Sequence, residues 1–304
     1  MDFISSQNQN PISEPEFSLF RNYISEKSGI VIPPEKSYLI ETRLTKLMAD
    51  TGADTFSEFY NYIISNSDPA MPQKIINAMT TNETLWFRDG SPWKVLEEIK
   101  LPQLVGELMT GKKTRVKIWC AAVSTGQEVY STVMCVDDYL AKNNIKSVDL
   151  SSFDFFATDI SSRVLEIAKK GRYDAISVMR GLDEHYKSKY FVKDGSAWEI
   201  APKIRNAVRF ARYNLQNSYQ AFGTFDVIFC RYVLIYFSDP LKKEIIAKMR
   251  DALTENGLLF TGNYVLYELF KDDFISNHYE NLTYYSKRGH VPTEQLSEIK
   301  AVIK

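Results

Sequence analysis

The 304-residue sequence has few of the residues that build metal centres or disulfide frameworks. It contains three histidines and three cysteines (Cys120, Cys135 and Cys230), with no C-x-x-C or H-x-x-x-H spacing. Such spacings are the usual signature of a zinc site. Two of the cysteines end predicted buried strands, where a free thiol packs as a small apolar group. We therefore expect no bound metal and a reducing, cytoplasmic compartment.

Charge of one sign and long apolar runs are also missing. The net charge is −1, so no overall field attracts nucleic acid or an anionic membrane. No apolar run approaches the roughly 18 residues that span a bilayer. Residues 1–10 are polar and lack the apolar core of a signal peptide. The length allows two domains, and we expect a soluble protein with no nucleic-acid partner and no direct membrane insertion.

The first quarter of the chain predicts a small all-helical domain. Residues 1–12 read as a disordered lead-in, and residues 13–79 carry apolar residues at helical spacing. Capping boxes begin at Ser13 and Thr55, where a hydroxyl and a carboxylate three residues later satisfy free backbone amides. An aromatic-rich connector over residues 80–99 follows.

From about residue 100 to residue 286, strands alternate with helices, which predicts a doubly wound, mostly parallel sheet. The predicted strands are Val116–Cys120, Phe153–Ala157, Val208–Arg212, Phe225–Cys230, Leu258–Thr261 and a terminal edge strand at Leu282–Ser286. Residues 173–205 form an insertion that is longer than a typical strand-to-helix connection and contains a short hairpin pattern. At the carboxyl edge of the sheet, this insertion could contact a macromolecular substrate. Residues 287–304 form a C-terminal tail.

Candidate binding residues follow four of these strands, at the edge where an open α/β sheet binds ligands. They are Gly126 and Glu128 after the first strand, Asp159 after the second, Asn214 and Leu215 after the third, and Arg231 and Tyr232 after the fourth. The first turn lacks G-x-G-x-x-G and so offers no pyrophosphate cradle. This lining suits a ligand with hydroxyls, an adenine and a zwitterionic tail. We therefore expect S-adenosylmethionine.

Several of these side chains also have a purely structural interpretation. Asp159 could accept both ribose hydroxyls, or it could cap a helix over Ser162–Lys169; its place beside the other strand ends favours the ligand. Asn214 could bond adenine through its amide or cap a turn. The sequence Arg231-Tyr232-Val233-Leu234 lacks the prolines of an Asn/Asp-Pro-Pro-aromatic motif, which argues against methylation of nucleic-acid bases.

Four segments resemble, in this order, the CheR-type chemoreceptor glutamate methyltransferases over roughly residues 15–286. They are TTNETLWFRD at 80–89, STGQEVYS at 124–131, ATDI at 157–160 and FDVIFCRYVLIYF at 225–237. The resemblance implies a helical N-terminal domain joined to an S-adenosylmethionine-binding α/β domain. It also implies methyl transfer to glutamate carboxylates of a chemoreceptor's cytoplasmic helical bundle, with S-adenosylhomocysteine as product, giving methyl esters that tune signalling. We expect a monomer.

The resemblance assigns roles to particular residues. The connector residues that cover the cofactor are Asn82, Thr84 and Arg88, while the strand-end residues line the rest of its pocket. Tyr236 is the aromatic residue expected near the transferring methyl group, and Arg88 and Tyr236 form the expected catalytic pair. Packing at the end of a buried strand is the alternative for Tyr236. Arg43 and Lys46, one helical turn apart, resemble the receptor-facing basic helix, with a solvated helix face as the alternative.

The chain departs from the family pattern at three places. Tyr232 stands where the family usually has Asn, Val129 replaces a common Pro, and Asn263-Tyr264-Val265 replaces a His-Ser-Glu. The insertion also lacks a glycine-rich loop associated with binding a receptor's C-terminal pentapeptide, so we expect an enzyme that needs no such tether. Two alternatives remain. One is a sensor or scaffold that binds S-adenosylmethionine or its product without transfer, and the other is a carboxyl methyltransferase for another protein.

Overall fold

The computed structural model describes residues 11–262 and 271–288, which form two compact units. One unit comprises the chain up to Thr81 together with Tyr236–Ser238, and the other comprises Asn82–Ile235 and the chain from Asp239 onward. The substituted triplet at 263–265 lies outside the described residues. Within the described ranges, no helix is both long enough and apolar enough to cross a membrane.

Four α-helices lie in the described part of the first unit: α1 (Glu14–Ser28), α2 (Tyr38–Asp50), α3 (Phe56–Ile64) and α4 (Met71–Met79). Both predicted helix starts are correct. The Ser13 amide donates to the Glu16 carboxylate at 2.9 Å, and the Thr55 hydroxyl accepts from the Glu58 amide at 3.2 Å. These bonds satisfy backbone groups that a helix leaves without partners in its first turn.

The core of this unit extends to Ile12, a residue of the expected disordered lead-in. Ile12 is 9% exposed, and its N–H donates to the Glu41 carboxylate at 3.0 Å. It shares a core with Phe20 and Phe59, whose rings stack 5.6 Å apart. Burial of an isoleucine side chain contributes about 1.5–3 kcal/mol. The lead-in prediction is therefore wrong at Ile12.

Ten strands occur in the described part of the second unit: β1 (Val116–Ala121), β2 (Phe153–Asp159), β3 (Arg172–Asp174), β4 (Phe191–Asp194), β5 (Ala197–Ile200), β6 (Val208–Arg212), β7 (Phe225–Phe229), β8 (Leu253–Phe260), β9 (Phe274–Tyr279) and β10 (Leu282–Lys287). Seven of them form one sheet in the order β6-β2-β1-β7-β8-β10-β9. The first five in that order are parallel, which confirms the predicted mostly parallel sheet. The strand order reverses at β1, so the carboxyl ends of β1, β2 and β7 form the crevice where such sheets bind ligands.

The far edge of the sheet differs from the prediction. β10 runs antiparallel between β8 and β9, so it is an interior strand and β9 is the edge strand. Only Phe274 of β9 is buried. Because an edge strand bonds on one side only and carries polar residues, its sequence FISNHY gave little strand signal.

Eight helices occur in the described residues of this unit: α5 (Ser91–Val95), α6 (Leu101–Met109), α7 (Gln127–Lys142), α8 (Ser162–Lys170), α9 (Ala175–Met179), α10 (Glu184–Tyr190), α11 (Pro202–Arg205) and α12 (Asp239–Asp251). The second half of the predicted connector is therefore helical, since α5 begins at Ser91. A π-helical turn, Leu96–Lys100, joins α5 to α6. It precedes Pro102, which has no N–H for an α-helical bond and whose ring crowds the preceding turn.

The insertion forms a separate antiparallel sheet in the order β3-β5-β4. The predicted hairpin is confirmed as β4 and β5, which pair in register from Phe191–Ile200 to Asp194–Ala197. α10 is fastened to α7 through the carboxylate of Asp138. That carboxylate accepts from His185 Nε2 at 2.9 Å and Lys189 Nζ at 2.8 Å, and it forms an ion pair with Lys142 at 2.9 Å.

Candidate active site

The loop between β1 and α7 requires glycine at position 126. Gly126 has a φ of +98°, and an added Cβ would lie 3.0 Å from Ala168 Cβ and 3.2 Å from the Tyr173 hydroxyl oxygen. Only glycine adopts this conformation in so little space. The Tyr173 hydroxyl also donates to the carbonyl of Thr125 at 2.8 Å. The insertion therefore helps to hold the first loop.

Asp159 lies at the carboxyl end of β2, and its side chain contacts the first loop. Its Oδ2 accepts from the Ser124 amide at 2.9 Å and its Oδ1 from the Ser161 amide at 2.8 Å. The N-cap residue of α8 is Ser161, so the capping alternative for Asp159 is wrong. Burial raises the pKa of Asp159 above its ordinary value, although the backbone amides oppose the rise. Each carboxylate oxygen has two lone pairs, so both can also accept ligand hydroxyls.

An ion-pair network around the buried Arg231 joins the start of α7, the end of β7 and the connector. The Arg231 side chain is 1% exposed and donates to Glu128 Oε2 at 3.2 Å, Asp89 Oδ2 at 2.5 Å and the Arg88 carbonyl at 2.6 Å. Burial raises the pKa of Glu128, and the Arg231 guanidinium opposes that rise. One arginine thus organises three segments that are distant in sequence.

The connector is fastened to both the first loop and the insertion. The Ser124 hydroxyl donates to the Asn82 carbonyl at 2.8 Å. Trp86 is buried, and its ring N–H donates to the Ser177 carbonyl at 3.0 Å. Thr84 lies half-buried between these two attachments. The connector therefore has a fixed course beside the strand ends.

Arg88 and Tyr232 contact one another directly. The centre of the Arg88 guanidinium lies 3.7 Å from the centroid of the Tyr232 ring, which is cation–π geometry. The Tyr232 hydroxyl donates to the Asp89 carboxylate, which also binds Arg231. The residue that departs from the family pattern is thus part of the network.

Five residues of this region adopt the left-handed backbone conformation, with φ between +44° and +72°: Phe87, Asp89, Ala122, Ser124 and Tyr232. A residue other than glycine costs about 1–2 kcal/mol in this conformation. Such strain concentrates at functional sites, where the surrounding contacts maintain it.

The end of β6 is built as a turn. Asn214 Oδ1 accepts from the Gln216 amide at 3.0 Å, so the turn-capping alternative for Asn214 is present in the structure. Leu215 is buried, and its carbonyl accepts from the Tyr219 hydroxyl at 2.8 Å. A contact of Asn214 with adenine stays a prediction.

Three predicted residues belong to the helical unit. Arg43 is half-buried and its Nη1 donates to the Met79 carbonyl at the end of α4 at 2.6 Å, so a solvated face does not describe it. Lys46 is exposed. Tyr236 ends a 3-10 turn rather than a strand, and its carbonyl accepts from the Val31 amide at 2.8 Å. The catalytic and receptor-binding roles of these residues stay predictions.

Sequence reasoning missed four residues that build this region: Trp86, Asp89, Ser124 and Tyr173. The aromatic richness of the connector was a signal for Trp86. No local pattern marks Tyr173, since its contact with Thr125 joins residues 48 positions apart.

The side chains fit the expected cofactor. Buried carboxylates lie in the first turn of α7 (Glu128) and at the end of β2 (Asp159). The arginines Arg88 and Arg231 supply positive charge for a carboxylate, and Gly126 allows close backbone approach without a phosphate cradle. Among residues 11–262 and 271–288, no cluster of His, Cys, Asp or Glu could hold a metal ion. The doubly wound sheet and this crevice define an S-adenosylmethionine-dependent methyltransferase.

Comparison with known proteins identifies the family. Residues 82–276 match the CheR methyltransferase SAM-binding domain, and residues 15–80 match the CheR methyltransferase all-alpha domain. The chain belongs to the CheR methyltransferase family. The predicted family, fold class and cofactor are therefore confirmed.

Three curated relatives show how far the similarity extends. Chemotaxis protein methyltransferase 1 of Pseudomonas aeruginosa is 39% identical, and Chemotaxis protein methyltransferase Cher2 of Pseudomonas putida is 36% identical, each over 81% of this chain and 88% of the relative. The Chemotaxis protein methyltransferase of Vibrio anguillarum is 36% identical over 83% of this chain and 89% of the relative. The similarity thus spans both units.

Proposed function

We propose that this protein transfers the methyl group of S-adenosylmethionine to glutamate side-chain carboxylates of chemoreceptors, giving methyl esters that tune signalling. The names of its relatives, chemotaxis protein methyltransferases, support this substrate class. The observation that carries the proposal is the set of polar contacts beside the strand ends. Asp159 at the end of β2 binds the first loop, and Arg231 after β7 binds Glu128 in the first turn of α7 and the Arg88 carbonyl on the connector.

Each polar group has a part in binding. S-adenosylmethionine supplies, when bound, a methyl group on a positively charged sulfur. The oxygens of Asp159 would accept ribose hydroxyls while the amides of Ser124 and Ser161 hold that carboxylate in place. Glu128 and Arg231 keep the first loop and the connector together, and Arg88 orients a carboxylate by paired N–H donors. The remaining contacts proposed for the cofactor are Asn82, Thr84, Gly126, Asn214, Leu215 and Tyr232.

The reaction needs no general base from the protein. A glutamate side chain has an ordinary pKa of about 4.3, so the acceptor is already an anionic nucleophile at neutral pH. Cys120 lies in β1 and Cys230 follows β7, but burial raises the pKa of both thiols, which stay neutral and do not compete. Catalysis therefore depends on alignment of the reactants and exclusion of water.

The remaining roles concern the receptor. We propose that Tyr236 holds the acceptor near the methyl group and that Arg43 and Lys46 meet a cytoplasmic helical bundle. Because esterification removes a negative charge, it would reduce repulsion between neighbouring receptor helices. A cytoplasmic monomer that needs no receptor tether suits this role.

The test is calorimetric titration with S-adenosylhomocysteine, then transfer of a labelled methyl group to receptor-containing membranes of the same cell. We expect binding and a base-labile label on the receptor. Asp159→Asn should weaken binding. Its matched control is Asp149→Asn, because Asp149 also accepts from the amide two residues on, at 2.8 Å, but lies in an exposed turn. Absence of binding would overturn the cofactor site and everything built on it.

The substitutions at Tyr232 and at 263–265 favour a second candidate, a sensor that binds S-adenosylhomocysteine but transfers nothing. Binding without label on any protein would establish that function. Label on a protein other than the receptor would instead establish a carboxyl methyltransferase with a different substrate.

A further inference from the structure

The ring of Tyr232 is packed between Arg88 and Gly262. The Arg88 guanidinium carbon lies 3.7 Å from the ring centroid. A Cβ added to Gly262 would lie 3.0–3.2 Å from the ring atoms Cζ, Cε2 and Cε1, which are its nearest neighbours among the described residues not adjacent to Gly262 in the chain. Arg88 and Gly262 therefore occupy opposite faces, since on one face the guanidinium would be the nearer neighbour.

Further contacts fix the orientation of this ring. The Tyr232 hydroxyl donates to the Asp89 carboxylate, and the Tyr232 amide donates to the Thr261 carbonyl at 3.4 Å. The backbone at Tyr232 has a φ of +59°, which few side chains adopt without support from their surroundings. The ring is thus a fixed surface for the guanidinium.

Arg88 keeps most of its hydrogen-bonding capacity in this arrangement. A guanidinium has five N–H donors in one plane. Within the described residues, the Arg88 side chain donates one hydrogen bond, to the Glu83 carbonyl at 3.4 Å. Because the aromatic contact uses the face of the guanidinium, the N–H groups in its plane can bind a carboxylate in a bidentate manner. Asparagine, usual here in the family, has no ring to offer.

We propose that Tyr232 is a positioning residue for Arg88, holding the guanidinium so that its N–H edge binds a reactant carboxylate. This inference rests on the proposed function. The carboxylate belongs either to the glutamate acceptor or to the amino-acid end of the cofactor. The aromatic face of Tyr232 positions the guanidinium, whereas the Tyr232 hydroxyl group contributes by fixing the orientation of the ring.

The first experiment compares Tyr232→Asn with Tyr232→Phe in steady-state methyl transfer and in calorimetric titration with S-adenosylhomocysteine. We expect Tyr232→Asn to lower kcat/KM by roughly 5- to 30-fold and Tyr232→Phe by less than about threefold. If the acceptor's carboxylate is bound, the receptor KM or kcat changes and the affinity for S-adenosylhomocysteine does not. If the cofactor's carboxylate is bound, that affinity falls by the same factor. The matched control is Tyr279→Phe, which removes an exposed hydroxyl bond to Glu98 of 2.6 Å.

A double-mutant cycle with Arg88→Met separates positioning from a general structural effect. In the Arg88→Met background, Tyr232→Asn should change kcat/KM by less than about twofold, because the group it positions is gone. An undiminished effect there, equal damage by Phe and Asn, or wild-type activity of Tyr232→Asn would each overturn the proposal.

The Arg88 side-chain Nε–Hε signal in an arginine-labelled sample gives a readout that needs no activity. We expect a ring-current shift in the wild type and in Tyr232→Phe, and its loss in Tyr232→Asn. If methyl transfer by Arg88→Met is too slow to assay, this signal decides whether the Tyr232 ring holds the Arg88 guanidinium. An unshifted wild-type signal overturns the inference. Absence of methyl transfer by the wild type would instead count against the proposed function.

Discussion

Replacement of Asp138 by Asn should loosen the insertion from α7 and lower the stability of the protein by a predictable amount. The Asp138 side chain is 3% exposed and contacts nitrogen atoms of Lys142, His185 and Lys189. Burial raises the pKa of this carboxyl, but the hydrogen bonds from these three partners outweigh burial and lower the pKa from 3.8 to about 2. Each pKa unit corresponds to about 1.4 kcal/mol, so the ionised form contributes about 2 kcal/mol at pH 7.

The pH dependence has a definite sign. Because the native carboxyl has the lower pKa, the native state binds fewer protons than the unfolded state between pH 4 and pH 2, approximately. The stabilisation is therefore complete above about pH 5 and is lost as the pH falls through the native pKa of about 2. In Asp138→Asn this contribution is missing at every pH.

The assay is urea unfolding of the wild type and Asp138→Asn at pH 7 and pH 3. We expect a difference of about 2 kcal/mol at pH 7 that becomes smaller at pH 3. The control is Asp194→Asn, which breaks an ion pair with Arg172 whose side chains are 59% and 52% exposed; such exposed pairs contribute about 0–1 kcal/mol. A difference below about 0.5 kcal/mol at pH 7, or one that does not change with pH, would refute the reasoning.

Three further predictions concern the strand-end region. Arg231→Met should lower the free energy of unfolding by about 3 kcal/mol, because it leaves the buried Glu128 carboxylate without its cation; a loss below about 1 kcal/mol in urea titration would contradict this. Tyr173→Phe should weaken S-adenosylhomocysteine binding by about 3- to 10-fold, because it releases a first-loop carbonyl; an unchanged calorimetric Kd would argue against such a link. Gly181→Ala should cost more than about 2 kcal/mol, because its φ is +91° and its Cβ would lie 2.3 Å from the Trp86 carbonyl oxygen. The control is Gly195→Ala, which has a φ of +61° and no atom within 4 Å of the added Cβ, and which should cost only about 1 kcal/mol. Equal melting temperatures of the two variants would show that the contact with the Trp86 carbonyl oxygen adds no cost.

The strands that carry the site could be predicted because their signals are local. Val116–Ala121 and Phe225–Phe229 are short, mostly apolar segments that are almost wholly buried. The geometry of parallel sheets predicted that Asp159 and Arg231 lie at the same edge of the sheet, because both follow the carboxyl ends of strands. By contrast, β9 was not predicted from the sequence. It lies at the edge of the sheet and buries little of its surface, so its sequence has few of the apolar residues that mark a strand.

The partners of the site residues could not be predicted, because they are set by tertiary packing. Ser124 binds Asp159 from 35 positions away, and Asp89 binds Arg231 from 142 positions away. The cation–π contact of Tyr232 likewise depends on where the connector passes. A substitution recognised only as a departure from a pattern thus acquires a physical role once its neighbours are known.

At the residues in the left-handed conformation around the strand ends, substitution by glycine should have the opposite of its usual effect on thermal stability. Glycine normally weakens a fold by enlarging the freedom of the unfolded chain. At Ala122, however, glycine would also release backbone strain of about 1–2 kcal/mol, so the substitution should raise rather than lower the melting temperature. The same change would remove the stiffness that keeps the first loop in one conformation. In this enzyme, selection for thermal resistance and selection for turnover should therefore choose different residues at the same positions.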